Sequence, residues 1–194
     1  MPAEISSPLQ SIVKRLAATQ VEGPAARLKA RFEDATDNIV VLADCSGSME
    51  DLIGSQNMRK CDHLRIALED VLLAFPKIKL IAFHFTAKVI TDAARLREPQ
   101  GGTNMAAALR LAQKFKPRKT IVISDGLPDN ERAALKAADE LTGAIDTIYC
   151  GPDAHPAAEF LRKLSRSSGG VSVLWDGMRT GISQTIRGLL PAPE

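Results

Sequence analysis

Ile39-Val40-Val41-Leu42-Ala43-Asp44-Cys45-Ser46-Gly47-Ser48 decides the fold. Five apolar residues in a row, three of them β-branched, suit a strand buried on both faces of a parallel sheet. An aspartate and two serines follow at alternate positions. They put oxygen-bearing side chains beyond the strand's carboxyl end, where open α/β sheets bind ligands.

Outward from this stretch the chain alternates strand-like and helix-like segments. Leu64, Ala67, Leu68, Val71, Leu72 and Phe75 recur at helical spacing, as do Met105, Ala108, Leu109, Ala112 and Phe115. Residues 80–85 and 88–91 read as two strands joined by a tight turn near Thr86-Ala87. Thr120-Ile121-Val122-Ile123-Ser124 repeats the buried-strand pattern. Ala134, Ala137, Ala138 and Leu141 mark the next helix and residues 145–150 a strand. Ala157, Phe160, Leu161 and Leu164 mark a helix, residues 171–175 a strand, and Ile182, Ile186, Leu189 and Leu190 the last helix. Repeated βα units predict the α/β class, a doubly wound, mostly parallel central sheet with helices on both faces. Residues 1–37 differ. Pro8 and the Gly23-Pro24 break suggest two helices, so residues 1–37 are expected to be a helical extension, 38–190 the domain and 191–194 a tail. The extension either packs on the domain or docks a partner.

Bulk properties narrow the function. The 194 residues are 45% hydrophobic and 25% charged, ordinary for one soluble domain. A net charge of +2 and 4% aromatics leave no footprint for nucleic acid. No signal-peptide pattern stands in residues 1–20 and no run of ~18 apolar residues occurs, so a cytoplasmic protein with no membrane partner is expected. The compact size and short loops have a bacterial look. Cys45, Cys61 and Cys150 are odd in number and widely spaced, as reduced thiols are.

Three segments should meet at the carboxyl end of the sheet: Asp44-Cys45-Ser46-Gly47-Ser48, Gly101-Gly102-Thr103-Asn104 and Asp125-Gly126. Asp44, Ser46, Ser48, Thr103 and Asp125 together offer two carboxylates and three hydroxyls. Oxygen-only ligation selects a hard divalent cation, Mg²⁺ first, with Mn²⁺ or Ca²⁺ as alternatives. Mg²⁺ takes six ligands, so this set leaves a position for an outside carboxylate. A bare D-x-S-x-S arises by chance in on the order of one chain in twenty. Its place behind a buried strand, with G-G-T and S-D-G at matching points, makes it specific.

These residues resemble the metal-ion-dependent adhesion site of von Willebrand factor A (vWA) domains. All five motif positions are filled, and the resemblance spans residues 38–190. It implies a sheet with one antiparallel edge strand, a role that residues 88–91 fit. It implies that Ser46, Ser48 and Thr103 hold the ion directly or nearly so, while Asp44 and Asp125 act mainly through water. It further implies a protein partner that supplies a Glu or Asp to the ion, such as a AAA+ ATPase or another subunit of an intracellular assembly.

The function expected is therefore a metal-dependent interaction module and not an enzyme. One alternative is a metal-assisted phosphohydrolase using Asp44, since aspartyl phosphatases of other α/β families keep their nucleophile at that place. Against it, Ser46 stands where a second acid is wanted, no lysine is placed beside the site by any pattern, and no G-x-S-x-G elbow occurs. Another is a scaffold whose metal site is vestigial. Met49, Leu52, Ile53 and Met58 could rim the metal or pack down on the helix below. Cys45 should point into the core, and His84 should be an ordinary strand residue.

Overall fold

The structure, a computed structural model, describes residues 38–55, 57–178 and 181–190. The expected N-terminal helices and the C-terminal tail lie outside the described residues. Among the described residues eight strands and five α-helices follow one another. They are β1 (Ile39–Asp44), β2 (Leu52–Ile53), β3 (Met58–Arg59), α1 (Lys60–Ala74), β4 (Lys79–Phe83), β5 (Ala87–Ile90), α2 (Met105–Gln113), β6 (Lys119–Ser124), α3 (Glu131–Asp139), β7 (Ala144–Cys150), α4 (Pro156–Ser167), β8 (Ser172–Trp175) and α5 (Ile182–Leu189).

Six strands form one sheet in the order β5-β4-β1-β6-β7-β8. All pairings are parallel except β4 with β5, whose register sets Leu80 opposite Ile90. This is the mostly parallel sheet with one antiparallel edge expected from the sequence. β2 and β3 pair as a separate small hairpin that the sequence pattern had not announced.

Every residue of β1 is buried, because the strand is sandwiched between two helical layers. Its side chains alternate between them. Ile39, Val41 and Ala43 join the core beneath α1 and α5, while Val40 and Leu42 join the core beneath α2, α3 and α4. At roughly 25 cal/mol per Å² of apolar surface, two dry faces per strand make β1 and its neighbours the rigid floor of the molecule. Helix starts are fixed locally. Asn104 caps α2 by accepting from the Ala107 N–H, Asn130 caps α3 through Ala133, and His155 caps α4 with Pro156 at its first position.

The topology also places the site. From β1 the chain moves through α1 to β4 on one side, and later enters β6 on the other side of β1. The two loops leaving β1 and β6 therefore part in opposite directions. The crevice between them is the switch point at which such sheets bind ligands.

One expectation fails. His84 lies beyond β4 and not within a strand: β4 ends at Phe83, and the His84 N–H donates to the Thr86 carbonyl at 3.0 Å in the turn to β5.

Candidate metal centre

Asp44, the last residue of β1, is wholly buried. One carboxylate oxygen accepts the Ser46 N–H at 2.7 Å, the other the Ser124 hydroxyl at 2.5 Å. The first bond is the local aspartate turn that stops the strand and bends the chain into a 3-10 turn over Gly47–Glu50. The Gly47 N–H then donates to the Gly101 carbonyl at 3.2 Å, and the Gln100 N–H to the Cys45 carbonyl at 3.0 Å, which ties the first loop to the second. Gly101 has φ +69°, and a β-carbon there would collide with the Phe85 ring, so this position needs glycine.

The hydroxyls converge. Ser46 Oγ and Ser48 Oγ stand 3.3 Å apart, and the Ser48 hydroxyl donates to Asp125 Oδ1 at 2.7 Å. A β-carbon built on Gly126 would lie 3.5 Å from Thr103 Oγ1 and 3.6 Å from Ser48 Oγ. These two hydroxyls therefore flank one small space left open by the glycine. Ser46, Thr103 and Asp125 are buried and Ser48 is exposed, so the cluster opens to solvent at Ser48. All five expected residues thus gather at one place, and none is turned away.

Three further residues belong to the site and were not expected from the sequence. Ser124 holds Asp44 as described. Asp129 clamps the second loop in both directions: its Oδ1 accepts the Thr103 N–H at 2.8 Å, and its own N–H donates to the Thr103 carbonyl at 3.0 Å. Lys60 overturns the expectation that no lysine stands beside the site. Its Nζ lies 2.7 Å from Asp125 Oδ2, 3.1 Å from Asp51 Oδ2 and 3.4 Å from the Ser48 carbonyl. The Asp125 and Lys60 side chains are only 1% and 10% exposed. No sequence pattern marks Lys60; the fold brings it in at the first turn of α1, whose start faces the same crevice.

The electrostatics are unbalanced. Burial, opposed by the hydrogen bonds from Ser124 and Ser46, pushes the Asp44 carboxyl up to about 7. Burial works against the Lys60 ammonium, but the Asp125 and Asp51 carboxylates together outweigh it and hold the ammonium above its ordinary range. Lys60 thus serves one buried carboxylate, Asp125, and one exposed carboxylate, Asp51, while among the described residues no cation pairs with Asp44. Among the described residues no group of three or more His, Cys, Asp or Glu is gathered for a metal. The five expected residues supply two carboxylates and three hydroxyls. Hard oxygens, an unneutralised buried carboxylate and the space beside Gly126 fit a small divalent ion.

The flanking apolar residues divide. Met49 is fully buried in the core, and Ile53 packs against it, as the downward reading predicts. Leu52 is exposed, together with Phe85 in the β4–β5 turn and Leu127 on the loop after β6. Cys45 does point into the core, where burial first and the Asp44 carboxylate second push its thiol up to about 12. It is no reactive thiolate.

No protein-family model matches the chain, and no curated protein is similar to it in sequence. Solved structures are similar in shape. BatB, a conserved hypothetical protein of Bacteroides thetaiotaomicron, is 16% identical with a TM-score of 0.59, over 79% of this chain and 98% of that one. An aerotolerance-related membrane protein of Bacteroides fragilis is 11% identical with a TM-score of 0.58, again over 79% and 98%. The Ro (RSR) protein of Deinococcus radiodurans is 12% identical with a TM-score of 0.53, over 98% of this chain and 50% of that one. At these identities the likeness is one of fold, and the fold is of the vWA type.

Proposed function

We propose that this chain is a metal-dependent protein-interaction module. The observation that carries the reading is the gathering of Asp44, Ser46, Ser48, Thr103 and Asp125 from three loops at the switch point of the sheet. Ser46, Ser48 and Thr103 would hold a divalent ion, Mg²⁺ first, with Asp44 and Asp125 acting through water. The ion would supply a position for a Glu or Asp of the partner. The chain's own residues do the rest. Asp44 fixes the first loop through the Ser46 N–H, and Asp129 fixes the second through Thr103. Exposed Leu52, Phe85 and Leu127 offer the partner apolar contact around the mouth, which removes water from a charged contact and strengthens it.

The vWA-type fold supports an interaction role of this kind. A partner within an intracellular assembly, such as a AAA+ ATPase, and a place in the cytoplasm are further parts of the proposal. Among the described residues no helix is long and apolar enough to cross a membrane.

Catalysis by Asp44 is the weaker reading. Lys60 removes one objection to a phosphohydrolase, but Asp44 is 0% exposed and both its oxygens are engaged. A nucleophile needs an oxygen that can reach its substrate.

The test uses the full chain stripped with EDTA. Calorimetric titration with Mn²⁺ and Mg²⁺ should give one site, lost when Ser46→Ala and Ser48→Ala are combined. Pull-down of partners should need Mg²⁺ and fail in EDTA. A wild-type chain that binds neither ion, or a partner retained equally in EDTA, would refute the reading.

A further inference from the structure

The geometry points to Lys60 as a built-in counter-cation of this site, which keeps the site in shape between metal-binding events and holds metal affinity down so that the ion exchanges readily. This inference rests on the metal reading above.

Lys60 is not placed to grip an incoming ligand. Its ammonium has three N–H donors, and three acceptors already surround it: Asp125 Oδ2, Asp51 Oδ2 and the Ser48 carbonyl. Its backbone is held as well, since the Lys60 N–H donates to the Asp51 carbonyl at 3.0 Å. What the ammonium does is join two metal-site segments that lie far apart in sequence. It fixes Asp125 from behind, on the oxygen that does not receive Ser48, and it fixes the Ser48 backbone. The loops that carry Ser48 and Asp125 are thereby oriented by a charge that belongs to the protein.

The same charge acts on affinity. Hard-cation sites gain affinity with the number of charged ligands and the rigidity of the cage. Here an ion would meet two buried carboxylates, Asp44 and Asp125, and Lys60 would neutralise one of them, leaving a single formal negative charge for a divalent cation. The ammonium also repels the ion directly across a poorly screened interior. Orientation and repulsion have opposite signs, and that makes the role testable. A lysine that served structure alone would, on removal, weaken the fold and weaken metal binding together. A counter-cation would, on removal, weaken the metal-stripped fold and tighten metal binding.

The experiment is Mn²⁺ and Mg²⁺ titration of the full chain, with thermal melting in EDTA and in Mg²⁺, for wild type, Lys60→Met, Lys60→Gln and Lys60→Arg. Met keeps the shape without charge or donors. Gln keeps a donor for Asp125 and serves if the Met variant fails to fold. Arg keeps the charge. Lys60→Met and Lys60→Gln should bind Mn²⁺ at least about tenfold more tightly than wild type. They should melt lower in EDTA and gain more from Mg²⁺, while Lys60→Arg stays near wild type. Equal or weaker Mn²⁺ affinity in the uncharged variants, with wild type binding, overturns the counter-cation role alone. No binding by wild type or by any variant overturns the metal reading itself. Binding by the uncharged variants but not by wild type would overturn both, since a lysine that excludes the ion altogether leaves nothing to exchange.

Discussion

Two buried aspartates, Asp146 within this sheet and Asp125 just beyond β6, each carry a lysine, one at either end of the strands. At the amino ends, Lys119 opens β6 and its Nζ stands 2.7 Å from Asp146 Oδ2 on β7, an ion-pair contact without hydrogen-bond geometry. Asp146 Oδ1 accepts the Val171 N–H at 2.8 Å, and Lys119 donates to the Leu189 carbonyl at 2.7 Å. Four elements are sewn together: β6, β7, the lead into β8 and the end of α5. At the carboxyl ends, Lys60 meets Asp125 at the same 2.7 Å, yet Asp125's second oxygen leads through Ser48 and Ser46 to an opening. Beside it Asp44 stays uncompensated. The same pair of residue types closes a seam at one end and only partly balances a site at the other. What separates them is whether the neighbouring groups add up to neutrality.

The largest expected effect tests the seam. Breaking a buried pair by removing one partner strands the other's charge and costs about 3 kcal/mol or more. Lys119 is 30% exposed, which lets it reach water and puts the cost at the low end. Asp146→Ala should therefore lower unfolding free energy in urea by about 3 kcal/mol, equally in EDTA and in Mg²⁺. A loss that depended on Mg²⁺ would mean that the two ends are coupled.

Asp44→Asn is the counterpart at the open end. It removes a carboxylate whose charge the fold disfavours, so stability in EDTA should stay within about 1 kcal/mol of wild type, raised and not lowered. Stabilisation by Mg²⁺, about 2.7 kcal/mol at a hundred times the dissociation constant, should vanish. If Asp44→Asn destabilises as Asp146→Ala does, the contrast between the ends is false.

How legible these two ends were in the sequence follows the range of their contacts. β1 and β6 could be read because burial on both faces writes itself as a continuous apolar run, and the helices because their stripes repeat at a fixed period. The five oxygen-bearing residues could be read because the loops that carry them directly adjoin those strong elements. Lys60 could not, since its partner Asp125 lies 65 residues away and neither flank carries a pattern. Asp129 was hidden for the same reason: it acts across 26 residues on the backbone of Thr103. The β2–β3 hairpin is two residues per strand, too short for any period to register. It is locked from afar, for Gly54 and Gly177, both at positive φ, press together so closely that a β-carbon on Gly54 would lie 2.6 Å from the Gly177 carbonyl oxygen. Met49 was ambiguous because a single 3-10 turn decides whether it faces the core or the solvent.

One substitution made at both ends sharpens the comparison further. A β-carbon on Gly170 would meet the Ile145 carbonyl oxygen at 2.1 Å and Asp146 Oδ1 at 2.9 Å, with backbone that cannot swing away. Gly170→Ala should cost about 1–3 kcal/mol by overpacking, read by thermal or urea unfolding. On Gly126 the same carbon makes ordinary contacts with Thr103 Oγ1 and Ser48 Oγ, at 3.5 and 3.6 Å. Gly126→Ala should therefore change stability in EDTA by no more than about 0.5 kcal/mol. It should nevertheless weaken Mn²⁺ binding, because the methyl fills the space that the hydroxyls leave open. Full Mn²⁺ affinity in Gly126→Ala would move the ion away from this space.

The smallest expected effect concerns Asp51, the outer partner of Lys60. Its side chain is 69% exposed, so its 3.1 Å contact with Lys60 is screened by water and weak. Asp51→Asn should change stability by no more than about 0.5 kcal/mol in either EDTA or Mg²⁺. Lys60 would keep Asp125, whose buried oxygen holds it 0.4 Å closer than Asp51 does, at 2.7 against 3.1 Å. A loss in EDTA as large as that of Lys60→Met would show the opposite, that the rim acid and not the buried one anchors the ammonium. The charge at the open end would then belong to the surface, and its likeness to the Lys119–Asp146 seam would be one of distance alone.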